Sequence, residues 1–181
     1  YQKDNHKLNY IRYNNSHENI TLSGNNTHVS HRTLRIQERW RDVNINEFDQ
    51  DAIFHSTHYR LPVKNKQSKI ITTVHDFTYE LFRSGPAQWM HTWQKNRAIR
   101  NSDLILCVSQ NTANDLMRFC PVSENKIRIV HNGVSEKYYP IDNTIKTNEV
   151  LFVGARGGYK NFAMAVDALA LSPSLVLSIV G

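Results

Sequence analysis

Long apolar runs are missing from this chain. No stretch approaches the roughly 18 residues that a membrane-spanning helix needs, and no signal peptide opens it. Cysteine is scarce: among 181 residues only Cys107 and Cys120 occur, and they lack metal-site spacing. Both point to a reduced, cytoplasmic setting, with Cys107 read as a small core hydrophobe. Basic residues form no run. The net charge of +6 is spread along the chain, whereas nucleic-acid binding wants a clustered stripe. No nucleic-acid partner is expected. A mild positive balance suits anionic substrates, or peripheral association with an anionic membrane. The chain has no Gly-Lys-Ser/Thr and no G-x-G-x-x-G, so the P-loop and dinucleotide readings drop out.

Hydrophobic residues make up 40% of the chain, enough for a globular core. Residues 1–50 are polar, Asn- and His-rich and poor in periodicity; Thr33 to Trp40 reads as a helix or a loop. The Asn-x-Ser/Thr patterns at Asn14, Asn19 and Asn25 are read as chance in so Asn-rich a segment. The chain starts at Tyr1 and stops at Val180-Gly181, where a strand would hand over to a loop. Both ends look cut, and a fragment of a longer protein is expected.

From Asp51 the texture changes. Ala52-Ile53-Phe54-His55 reads as a strand, and the β-branched Lys69 to Val74 as another, with His75-Asp76 at its C-terminal end. Pro86 opens a helix to about Asn101, with Trp89, Met90 and Trp93 as packing residues. Asp103 to Val108 is a strand. Ser109 then caps a helix from Gln110 to Phe119 that packs through Ala113, Leu116 and Met117. Lys126 to Val130 is a strand, followed by His131-Asn132-Gly133, where Asn132-Gly133 reads as a type I′ or left-handed turn. Residues 141–148 read as a linker between a domain over 1–140 and the start of a second over 149–181.

Val150 to Val153 should be a central parallel strand covered on both faces. The loop after it carries Gly154, Gly157 and Gly158, which permit positive φ and close approach of a ligand. It also carries Arg156 and Lys160. Asn161 would cap the helix from Phe162 to Leu171, and Leu175 to Val180 would be the last strand. A helix N-terminus beside two cations is a place for phosphate, though glycine turns between strand and helix also occur where nothing binds.

Strands alternating with helices give an α/β fold with parallel sheets and right-handed crossovers. Ligands of such sheets bind at the C-terminal strand ends. That rule selects the loops His55 to His58, His75 to Phe77, Ser109-Gln110 and Gly154 to Lys160. His75 can hydrogen-bond a substrate hydroxyl or share a proton; the plain alternative is a structural histidine on a backbone carbonyl. A metal site at His75-Asp76 lacks helical histidine support. Ser109 is an N-cap, and no Gly-x-Ser-x-Gly makes it a nucleophile elbow.

The ordered set Thr73-Val74-His75-Asp76, Asp103 to Ser109 with Asn114-Asp115-Leu116, Val130-His131-Asn132-Gly133-Val134, and Phe152-Val153-Gly154-x-Arg156 with Lys160-Asn161 resembles the retaining family 4 glycosyltransferases of the GT-B fold. The resemblance covers roughly Asp51 to Gly181 and implies two Rossmann-like domains, the second present only as its first βαβ unit.

What the resemblance implies is metal-independent hexosyl transfer from a nucleotide-sugar, with the anomeric configuration retained. In it His75 is the catalytic-site histidine near the donor sugar. Gly154, Arg156 and Lys160 hold the donor diphosphate, and Asp76, Ser109 and Asn132 face the cleft. Cations at the diphosphate stabilise charge that grows in the transition state. No separate cofactor is implied, only a GDP- or UDP-sugar as substrate. The glycine loop resembles mannosyltransferases of polysaccharide synthesis, acting on a glycan or lipid-linked acceptor at the inner membrane face. The family's glutamate pair would lie beyond Gly181, so the 181 residues alone are expected to give no turnover. A non-catalytic nucleotide- or sugar-binding module of the same architecture is the alternative.

Overall fold

The computed structural model describes residues 10–13, 27–30, 42–43, 53–63, 68–141 and 145–181. The expected helix or loop at Thr33 to Trp40 and the patterns at Asn14, Asn19 and Asn25 lie outside these residues. Strands β1 (Tyr10–Tyr13) and β2 (Thr27–Ser30) pair in parallel, in a region where no strand was expected.

The main sheet is four-stranded and parallel. It runs in chain order through β3 (Ile53–Ser56), β4 (Lys69–Val74), β5 (Leu104–Cys107) and β6 (Ile127–Ile129). The β-branched run Ile70-Ile71-Thr72-Thr73-Val74 suits the pleated interior of β4, where Thr72 and Val74 are fully buried. A short helix α1 (Thr78–Phe82) follows β4. Helix α2 (Pro86–Asn101) starts on its proline, whose fixed φ suits the first turn. Helix α3 (Gln110–Phe119) starts on Ser109, whose Oγ accepts from the Thr112 amide at 3.1 Å.

One core joins these layers: Val74, Phe77, Ile99, Ile105, Cys107 and Leu116 are all within 1% of complete burial. Each such large apolar side chain contributes about 1.5–3 kcal/mol. The expected face of α3 is the one that packs: Ala113 and Leu116 are buried and Met117 lies against them. On α2 the expectation fails. Trp89 is 69% and Trp93 44% exposed, while Gln94, Lys95, Ala98 and Ile99 face inward. The inward stripe is polar at Lys95 because an acceptor set waits for it there, described below. Val43 bridges Pro62, and Arg97 grips the Asp42 carboxylate through both nitrogens at 2.7 Å.

Beyond residue 144, β7 (Glu149–Val153) pairs in parallel with β8 (Val176–Val180), and α4 (Phe162–Ala170) connects them. The expected βαβ unit is therefore present. The expected cover on both faces of its first strand is not: Leu151 is 61% and Val153 63% exposed. Among the described residues one helix, α4, connects the strands of this two-stranded sheet, and Leu151 and Val153 are left uncovered.

Candidate active site

Register decides which residues share an edge. Val74 lies opposite Cys107, and Cys107 opposite Ile129. The Val108 amide donates to the Val74 carbonyl at 3.4 Å, and the Val130 amide to the Cys107 carbonyl at 2.9 Å. The chain therefore leaves β4, β5 and β6 at one C-terminal edge, carrying His75-Asp76, Ser109 and His131-Asn132 with it. The sequence rule for parallel sheets thus gathers His75, Asp76 and Ser109 in one place.

His75 and Asp76 are exposed at this edge, while their main chain is held firmly from below. The Thr112 hydroxyl donates to the His75 carbonyl at 3.2 Å. The Lys95 ammonium donates to the Asp76 carbonyl at 2.8 Å. The Asp76 carboxylate accepts the Thr78 amide at 2.9 Å, which turns the chain into α1. Tyr59 comes up beneath. It is 6% exposed and adopts φ 60, a conformation that a bulky residue takes only under constraint. Burial pushes its phenol well above the ordinary tyrosine value, opposed by a hydrogen bond from the His75 backbone.

Ser109 does more than cap. Its Oγ lies 3.0 Å from Thr112 Oγ1. Because the Thr112 proton goes to the His75 carbonyl, Ser109 supplies the proton of this bond while its lone pair takes the Thr112 amide. A two-hydroxyl relay thus runs from the start of α3 to the end of β4. His131 Nδ1 lies 3.1 Å from the Val108 carbonyl. A carbonyl only accepts, so that nitrogen carries the proton.

Asn132-Gly133 corrects an expectation. Neither residue has positive φ and no turn forms at them, so the expected type I′ or left-handed turn is absent. The chain simply leaves β6 without reversing, so no turn geometry is required of it.

The cationic loop is built from a second set of residues. Gly154 has φ +132, and the methylenes of Lys160 lie 3.6 Å from where a Cβ would stand, so the lysine stem crosses over the glycine. Gly158 also has positive φ (72), but Gly157, expected to share that freedom, sits at φ −105. A 3-10 turn over Gly158–Lys160 delays the helix by one turn. That turn forces Asn161 into the left-handed region (φ 51), so its side chain does not cap α4 as expected. Arg156 and Lys160 are both exposed, and the Lys160 ammonium lies 5.3 Å from the Tyr159 ring centre. Tyr159 in turn stacks on Phe82 of α1 at 5.9 Å. Among the described residues no hydrogen bond joins Arg156 or Lys160 to His75 or Asp76.

Among the described residues no group of three or more His, Cys, Asp or Glu could hold a metal ion. No helix among them is long and apolar enough to cross a membrane. Sequence reasoning missed Tyr59, Glu80, Lys95 and Thr112. Only Thr112 left a signal, the Ser-x-x-Thr spacing at a helix start; the other three are joined to the site by contacts across 15 to 19 residues or more, which no local pattern carries.

Against known proteins, the family described as Glycosyltransferase Family 4 matches residues 15–138, well over half of the chain. That span ends after the strand-end loops of the main sheet and before β7. No curated protein matches the chain.

Proposed function

The chain belongs to glycosyltransferase family 4, and from that premise we propose that it transfers a hexosyl group, with mannosyl the leading candidate, from a nucleotide-sugar to a glycan or lipid-linked acceptor. The anomeric configuration is retained and no metal is required. The setting is polysaccharide synthesis in the cytoplasm, at the inner face of an anionic membrane.

One observation carries the reading. The exposed His75-Asp76 pair stands at the C-terminal edge of a parallel sheet, with its carbonyls fixed by Thr112 and Lys95. A side chain meant to meet a substrate gains from such a backbone, because small errors of placement at a reacting centre cost large factors in rate. In this reading His75 contacts the donor sugar near its anomeric carbon. Asp76, Ser109 and Asn132 line the acceptor side of the cleft.

The reaction makes a bond from an acceptor hydroxyl to the anomeric carbon and breaks the bond from that carbon to the diphosphate. Negative charge grows on the departing diphosphate. In this reading Arg156 and Lys160, on the loop that holds the turn at Gly158–Lys160, receive it. Gly154 supplies the positive φ (+132) that starts this loop, and the Lys160 stem lies against it with its ammonium exposed.

Titration calorimetry with GDP and UDP tests the diphosphate assignment. Binding should be lost in Arg156→Ala/Lys160→Ala. Unchanged affinity in that double variant removes the assignment.

A further inference from the structure

We infer that Lys95 is a positioning residue for the reacting end of this site, acting through the main chain of Asp76. The inference rests on the transfer reading above and adds to it a residue outside the cleft.

Lys95 is fully buried, on the inward stripe of α2 beside Ala98 and Ile99. Its ammonium donates to Glu80 Oε2 at 2.8 Å and to the Asp76 carbonyl at 2.8 Å. The Phe77 ring centre lies 4.4 Å away and the Tyr59 ring centre 5.6 Å away. The three protons of the ammonium therefore face two oxygens and an aromatic wall. The Glu80 side chain is itself 4% exposed, and its second oxygen accepts the Thr92 hydroxyl at 2.8 Å. Glu80, one of the two groups that set the ammonium's position, is thus itself held by a second hydrogen bond.

Stability alone does not ask for this arrangement. Desolvating two charges offsets most of their attraction, and a well-packed apolar pair does as well or better. What an apolar side chain at position 95 could not supply is the donor to the Asp76 carbonyl. Thr112 holds the preceding carbonyl, that of His75, from the opposite helix. Two consecutive carbonyls at the exit of β4 are thus pinned from α2 and α3, and the His75 side chain is aimed by both.

The test uses Lys95→Met and Lys95→Met/Glu80→Gln in the full-length protein, with GDP-mannose and UDP-glucose as donors. Amide hydrogen exchange is followed alongside. Turnover should fall about 10–100-fold, while the donor KM stays within about twofold, the signature of an interaction that acts on the reacting geometry rather than on binding. Exchange should quicken at residues 75–79 and stay unchanged in β5. Ser102→Ala, which removes buried hydrogen bonds at the far end of α2, should lower stability yet leave turnover and exchange at residues 75–79 as in the wild type.

Should Lys95→Met not fold, the double variant carries the test, since it leaves no charge buried alone. A folded double variant with wild-type turnover and unchanged exchange at residues 75–79 overturns the inference. So does failure of the double variant to fold, which would make Lys95 a stability residue. If the wild type turns over neither donor, the transfer reading fails, and the exchange arm still decides the positioning.

Discussion

The Thr112 hydroxyl donates to the His75 carbonyl at 3.2 Å, across 37 residues of sequence. That bond ties the first turn of α3 to the end of β4, and Ser109 completes it by donating to Thr112. The cap of one helix and the pose of the proposed reacting histidine are therefore a single structure.

Ser109→Ala should then do two things. Loss of the cap should cost about 1 kcal/mol of stability, seen as a lower urea midpoint at unchanged slope. Loss of the relay should also lower turnover in the full-length protein. Lower stability with full turnover would mean that the relay has no part in aiming His75.

Both thiols should be silent in the native protein. Cys107 and Cys120 are fully buried. Burial pushes the Cys107 thiol up to about 11 and raises that of Cys120 as well. Thiolate is the reactive form, so an aromatic disulfide reagent at pH 8 should label neither residue until urea unfolds the chain. Labelling without denaturant would mean that the core around β5 opens.

Acid should weaken the fold before its carboxylates titrate. Burial lowers the folded-state values of His55 and His91, the latter helped by Lys95. The unfolded chain then binds more protons than the native one just below pH 6.5, the ordinary histidine value, and stability falls as pH drops through that window. Asp103 is lowered too, held down first by the Ile70 amide, but it is an acid, so its lowered value stabilises the charged form. Its contribution is present above the usual carboxylate range and is lost only at lower pH. The urea midpoint should therefore drop between pH 7.5 and pH 5.5, and the drop should shrink in His55→Gln/His91→Gln. An unchanged slope in that variant would assign the effect elsewhere.

Much of the fold was legible because local chemistry and tertiary need agreed. Lys69–Val74, Pro86–Asn101 and Gln110–Phe119 match the elements read from a β-branched run, a proline at a first turn and a serine cap. The strand-end rule placed His75, Asp76 and Ser109 together for the same reason: parallel strands in chain order share one exit edge. Where reading failed, a distant partner had overridden the local pattern. Trp89 and Trp93 looked like core by composition, yet the inward stripe of α2 is set by Lys95, which Glu80 and Asp76 make tolerable in a core. Asn161 looked like a cap, yet the 3-10 turn before it uses the residue as a left-handed joint. Helix α1 spans only Thr78–Phe82, too short for an apolar period to show.

Proton NMR of the sugar transferred by the full-length protein from GDP-mannose, or from whichever UDP-hexose it turns over, decides the matter. The run uses a lipid-linked glycan acceptor, no added divalent metal, and His75→Ala in parallel with the wild type. The account requires an α-linked product from the α-linked donor, and a fall of about 10²–10⁴-fold in His75→Ala, the range for loss of a group that shares a proton or stabilises charge at a reacting centre. An inverted anomer, or a His75→Ala protein that transfers sugar at the wild-type rate, would contradict it.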